Sequence, residues 1–199
     1  MIRSILSRGA LAAGLALALA APVAAQQNKP AAKPAAKPAA APAKPAAAPG
    51  AAQGQPIQLA TYGDWGVFAS DTPRGRVCYA LSQPKERLPK ELKRDDGFLF
   101  ISTRPAEGVR NEISKITGFP TKENDVNALT IGTAKFQTVQ KGTSAWLKNP
   151  AEDVAAVEAM KKGSSLTITT TSVRGNKTTD RYSLNGLAQA LDRVKKECP

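Results

Sequence analysis

From residue 56 onward the chain is written in short runs in which apolar and polar residues alternate, separated by Gly, Pro, Asn and Asp. In "SLTITTTSV", Leu166 and Ile168 alternate with Thr167 and Thr169, the period of a strand with one buried face. "FLFI", within "GFLFIST", is apolar on both faces and predicts a central strand. The same reading predicts strands in "TYGDWGVFAS", "RVCYALS", "VRNEISKI", "NALTIG", "AKFQTVQ", "SAWLK" and "TTDRYSL". Gly175-Asn176 and Ile131-Gly132-Thr133 fit hairpin turns. So many short strands at close spacing predict an antiparallel sandwich or barrel, with threonines and lysines protecting its edges.

Two segments change to a helical period. "NPAEDVAAVEAMKKG" places Asn149 as N-cap, Pro150 at the first helical position, acids Glu152 and Asp153 in the first turn, Lys161 and Lys162 in the last, and Gly163 as the stop. "SLNGLAQALDRVKKEC", read with Ser183 as its cap, lays Leu184, Leu187, Leu191, Val194 and Cys198 along one stripe.

The N-terminus is organised differently. Residues 1–25 carry Arg3 and Arg8, then an Ala/Leu run, then the small residues Val23, Ala24 and Ala25, the pattern of a cleavable secretory signal. The competing reading is an uncleaved anchor, but the run is short for a span of about 20 residues and Pro22 interrupts it, so the mature chain is read without a transmembrane segment. Residues 26–55 hold six prolines and four lysines with no acid, a disordered spacer of extended, polyproline character. It is read as a passive tail or as a weak basic arm for anionic envelope polymers. Residues 56–199 are the size of one domain.

Export bears on the only two cysteines, Cys78 and Cys198. In an oxidising compartment an even count reads as a disulfide, here tying the terminal helix to a strand. A redox pair would favour close spacing and an activated thiolate, and neither is visible.

The domain carries a moderate positive surplus: of 28 Lys+Arg, six lie before residue 56, leaving 22 against 16 Asp+Glu. Outside the cytoplasm this argues against nucleic acid and for solubility or contact with anionic lipid, glycan or cell-wall surfaces. The chain has no histidine, which removes Ser-His-Asp and Cys-His arrangements. A carboxylate pair drawn from Asp64, Asp95, Asp96, Glu107, Glu112 and Asp180, or a Ser-Lys couple, stays formally open, but none sits in a motif. "KENDVN" has oxygen ligands without the spacing or glycine of a calcium loop. No catalytic residue, metal ligand or cofactor is therefore expected. Trp65 and Trp146, with Tyr62, Tyr79 and Tyr182, are candidates for a sugar or partner surface, against a core role for tryptophans in strands.

The stretches "YGDWGVF", "CYALSQP", "FISTRPAEGVRNEIS", "AWLKNPAEDVAAVEAMKKG" and "YSLNGLAQALDRVKKEC" resemble the invasion-associated locus B family of exported bacterial proteins. The resemblance covers nearly all of residues 57–198 and is most specific at Gly63-Asp64-Trp65 and in the ending from Ser183 to Leu191, where Gly186 keeps its place. It implies a mainly β, immunoglobulin-like antiparallel sandwich with two short helices, one C-terminal, in the periplasm or outside the cell. It also implies, for some members, an association with entry into host cells, and it supplies no catalytic residues. The resemblance further implies a cysteine four residues after the tryptophan, where this chain has Ala69, which leaves Cys198 as the partner of Cys78. The reading is an exported, non-catalytic envelope or binding protein whose partner is anionic envelope material or a host surface. The alternatives are an adhesion factor that touches host cells directly and an envelope enzyme acting on glycans with a carboxylate pair.

Overall fold

The computed structural model describes residues 54–199, so the signal-like segment and nearly all of the spacer lie outside the described residues. Eleven strands follow in chain order. They are β1 (Ile57–Tyr62), β2 (Trp65–Thr72), β3 (Gly75–Ser82), β4 (Glu86–Leu88), β5 (Phe98–Arg104), β6 (Val109–Ile116), β7 (Asn127–Ile131), β8 (Ala134–Lys141), β9 (Ser144–Leu147), β10 (Ser165–Thr171) and β11 (Lys177–Ser183). Helix α1 (Asp153–Lys162) precedes β10 and helix α2 (Leu187–Glu197) follows β11. Every ladder is antiparallel, and the strands run β1-β2-β3-β5-β6-β9-β8-β7-β10-β11-β4.

The mainly β, antiparallel expectation holds, with a sandwich-like closure made by one continuous sheet. Lys115 of β6 reaches Thr170 of β10 at 2.9 Å and Asp180 of β11 at 2.9 Å, across strands far apart in the ladder. The sheet must therefore curl until its two halves face each other. Between them lies one core, drawn from Trp65, Val67, Cys78, Leu99 and Ile101 on one half, Leu129, Leu166, Ile168 and Tyr182 on the other, and the apolar stripes of both helices.

Two local expectations are corrected. "TYGDWGVFAS" is two strands, because the chain turns at Gly63-Asp64: Gly63 has φ +54°, and Asp64 N–H donates to the Asn185 carbonyl at 3.0 Å. Ser183 does not cap α2. It ends β11, its hydroxyl accepts from Asn185 N–H at 3.2 Å, and the helix begins after Gly186 at φ +87°. A Cβ on Gly186 would run into the carbonyl oxygen of Tyr62, so the close approach of the β1–β2 turn to the helix entry requires glycine. "FLFI" is a central strand, as expected, between β3 and β6, with its inner residues Leu99 and Ile101 buried. Phe98 and Phe100 point outward and half-bury themselves in a row of rings with Tyr79 and Phe68, at centroid separations of 6.3, 5.6 and 5.4 Å.

The Asn149 cap is as expected, its side chain accepting from Ala151 N–H at 3.2 Å, with a 3₁₀ turn (Pro150–Glu152) leading into α1. The stripe of α2 is also as expected: Leu184, Leu187, Leu191, Val194 and Cys198 are all buried. Cys198 is bonded to Cys78, with Cα atoms 5.9 Å apart, so α2 is stapled to β3 against the inner face of the sheet. Ala69 lies directly opposite Cys78 on the β2–β3 ladder and is itself buried.

Candidate functional site

The most unusual chemistry in the described domain is inside it. Asp180, on the inner face of β11, is fully buried and meets three cations: Arg87 of β4 at 3.3 Å, Arg94 at 3.2 Å and Lys115 at 2.9 Å. Lys115 is equally buried, and its ammonium donates to Thr170. Burial pushes its pKa down, Asp180 pulls it back up, and the two guanidiniums add to the downward push. Arg94, with its guanidinium nearly buried, is also shifted downward, by desolvation first and by the like charge of Arg87, against the pull of Asp180. Arg87 is further held by the carbonyls of Asp95 at 2.6 Å and Thr117 at 2.7 Å, and Arg94 by that of Pro89 at 3.2 Å. No motif marks this cluster in the sequence, since its members come from four segments that only the curled sheet brings together.

The positive surplus continues outward from the cluster. A hollow of about 290 Å³ is walled by Lys93, Arg94 and Arg174, with Leu92, Phe119, Pro120 and Val173 as its apolar surface and Ser172, Asn176 and Thr178 as neutral polar groups. Its walls are fixed to one another. Val173 N–H donates to the Pro120 carbonyl at 3.1 Å, Thr121 bridges Ser172, and Asp95 N–H donates to the Gly118 carbonyl at 3.1 Å. A second hollow shares Thr178 with the first. It measures about 430 Å³ and is lined by Lys135, Lys177, Gln137 and Asn127 with threonines and Val126. No carboxylate lines either hollow. Asp125, next to the second one in sequence, is kept ionised below the usual carboxylate range by Thr171 and Asn127, and to a smaller extent by Lys122 and Lys177.

A third concavity, of about 350 Å³, gathers carboxylates from separate elements. Trp146, Glu112, Asp153 and Arg110 line it with Ile113, Leu147 and Pro150. Asp153, at the start of α1, accepts from Ile113 N–H at 3.2 Å. Burial pushes its carboxyl up to about 6, with a smaller contribution from Glu112, against the stabilising amide of Ile113. Glu112 is bound by Arg104 at 2.6 Å.

The remaining sequence candidates are dispersed. Trp65 is fully buried and its indole N–H donates to the Ser183 carbonyl at 3.0 Å, so it belongs to the core, whereas Trp146 is half-buried at the third concavity. Tyr182 is buried, Tyr79 belongs to the outer ring row, and Tyr62 packs at the edge of the core. Asp64 pairs with Lys85, Glu107 with Arg104, and Asp95 contributes only its backbone to the loop described above. Among the described residues no group of three or more His, Cys, Asp or Glu side chains gathers as a metal site would require, and no helix is long and apolar enough to cross a membrane. The outer ring row was missed because alternation marks which residues share a face, and an apolar outer face reads like a covered one.

Fold and site define a small, mainly antiparallel β protein with a disulfide-stapled terminal helix and two basic outer hollows whose linings hold no carboxylate. The family model for invasion associated locus B (IalB) protein matches residues 65–195, well over half of the chain. The chain belongs to that family. No curated protein and no solved structure was found to match it.

Proposed function

We propose that this is an exported, non-catalytic binding protein of the bacterial envelope that engages anionic envelope material through its basic outer face. The observation that carries the reading is the pair of adjoining hollows. Lys93 and Arg174 in one, and Lys135 and Lys177 in the other, are exposed at hollows with no carboxylate among their lining residues, while Arg94, nearly buried against Asp180, closes the wall of the first. Export rests on the charged, apolar and small-residue pattern of residues 1–25 and on membership of the family. A surface of exposed cations concentrates polyanions at low ionic strength and releases them as salt screens the field.

The mature protein is expected to co-sediment with anionic envelope fragments at low salt and to be released at high salt. Lys135→Glu/Lys177→Glu weakens that association, and a chain lacking residues 26–55 reports the contribution of the spacer lysines. Sedimentation that is absent at low salt, or indifferent to both salt and charge reversal, refutes the proposal. A host-cell adhesin would instead bind host surfaces in preference to envelope fragments in the same assay.

A second reading, an enzyme acting on envelope glycans, is favoured by the concavity that places Glu112 and Asp153 beside Trp146. Glycan cleavage lost in both Glu112→Gln and Asp153→Asn would support it, and intact glycan after prolonged incubation with the parent would remove it.

A further inference from the structure

We propose that the hollow at Arg94 is a seat for a small amphiphilic anion, a single carboxylate carried on an apolar body. The proposal narrows the binding reading above at one of its two hollows. Three observations converge.

The first is a charge imbalance that the protein does not resolve internally. Arg87, Arg94 and Lys115 surround one carboxylate, Asp180, and even with Lys115 neutral two guanidiniums share a single counter-charge. Asp180 and Lys115 are sealed from solvent, while Arg94 is also part of the wall of the hollow. The uncompensated charge is therefore expressed there, beside Lys93 and Arg174, both exposed. Arg94 is already engaged, Nη1 with Asp180 and Nη2 with the Pro89 carbonyl, both at 3.2 Å, so it adds a fixed positive field to the wall, and the exposed Lys93 and Arg174 are the donors a carboxylate can reach.

The second is the other half of the lining. Leu92, Phe119, Pro120 and Val173 give the hollow an apolar surface, and Val173 is 61% exposed. A bare inorganic anion would leave this surface wet, and an uncharged hydrocarbon would leave the cations unanswered. An aliphatic carboxylate satisfies both. The volume of about 290 Å³ sits at the small end of the range for ligand sites and suits a chain of roughly eight carbons.

The third is pre-organisation. The segment at Pro120, the hairpin at Ser172–Asn176 and the loop at Arg94 are tied together by backbone hydrogen bonds and by the grip of Arg94 on Asp180 and Pro89. Little ordering remains to be done when a ligand arrives.

The test uses the mature chain, residues 26–199, with octanoate as the probe and acetate and octanol as controls, followed by amide chemical shifts. Octanoate is expected to shift Phe119, Val173 and Asn176 saturably, and to bind about tenfold or more tightly than either control. Lys93→Glu/Arg174→Glu, at exposed positions that leave the buried cluster intact, should weaken octanoate about tenfold or more. Lys135→Glu/Lys177→Glu should leave it within about twofold. Equal binding of octanol would mean an apolar patch only, equal binding of acetate would mean general charge attraction, and shifts elsewhere or none would mean that no seat exists. Each of these overturns the proposal. Loss of octanoate binding with envelope sedimentation preserved sinks this inference alone, and the reverse sinks only the polymer reading.

Discussion

Replacing Asp180 with Asn keeps the shape and one acceptor oxygen while removing the only negative charge in the buried cluster. Three cations would then lie within about 3 Å of a neutral amide, with Lys115 sealed from water. At an effective dielectric of about 20, an ion pair at 4 Å is worth about 4 kcal/mol. The three attractions do not add, because desolvation and mutual repulsion of the cations already offset much of them, and the carbonyls of Pro89, Asp95 and Thr117 continue to hold the two arginines. Breaking a buried pair by removing one partner costs about 3–5 kcal/mol, which is the expected loss. In a domain of this size that lowers the melting temperature by roughly 10 °C. Urea unfolding of the oxidised protein, followed by circular dichroism, reads the loss as a lower midpoint at unchanged slope. Adding Lys115→Met to Asp180→Asn should recover about 1–2 kcal/mol, since it removes the cation that cannot reach water. An Asp180→Asn protein within about 1 kcal/mol of the parent, or a double variant less stable than the single one, would show that the cluster does not hold the two halves of the sheet together.

Two further outcomes follow from the same structure. Because the folded carboxyl of Asp153 is raised from 3.8 to about 6, the native state holds its proton more tightly than the unfolded chain between those values. Stability should fall as pH rises from about 4 to 6, by about 2 kcal/mol, and level off above; Asp153→Asn should flatten the slope, and urea midpoints of parent and variant across that range check it. Reducing the Cys78–Cys198 bond frees a loop of 120 residues, whose closure in the unfolded chain is worth about 5 kcal/mol in the entropy picture, so the midpoint should drop and amide exchange should quicken first in α2. A midpoint indifferent to reductant would contradict the stapling role.

Local rules served where a signal is carried by neighbours in sequence. The Asn149 cap, the Gly163 stop, the α2 stripe and the period of "SLTITTTSV" need only the geometry of one helix or strand, and the structure repeats them. The same rules failed where a distant segment intervenes. Ser183 reads as a cap from its hydroxyl alone, yet the β1–β2 turn presses on Gly186 and moves the start of the helix to Leu187. The apolar outer face of "FLFI" marks a central strand without saying what covers Phe98 and Phe100, and the fold covers them with a ring row that includes Tyr79 and Phe68. Trp65 and Trp146, alike as candidates, part company because Trp65 alternates inward on β2 and Trp146 outward on β9.

What the linear chain determined by itself is the inventory and the periods: many short strands, two helices, two cysteines for one bond, no histidine, and a surplus of positive charge. Where that surplus is gathered was decided only by the curl of the sheet. It carries Lys115 across the core to Asp180, brings Arg87 and Arg94 to the same carboxylate, and sets Lys93 and Arg174 on one rim. Charge composition is a sum over residues, whereas a field in a hollow depends on distances and on exclusion of water, and neither exists until the two halves close.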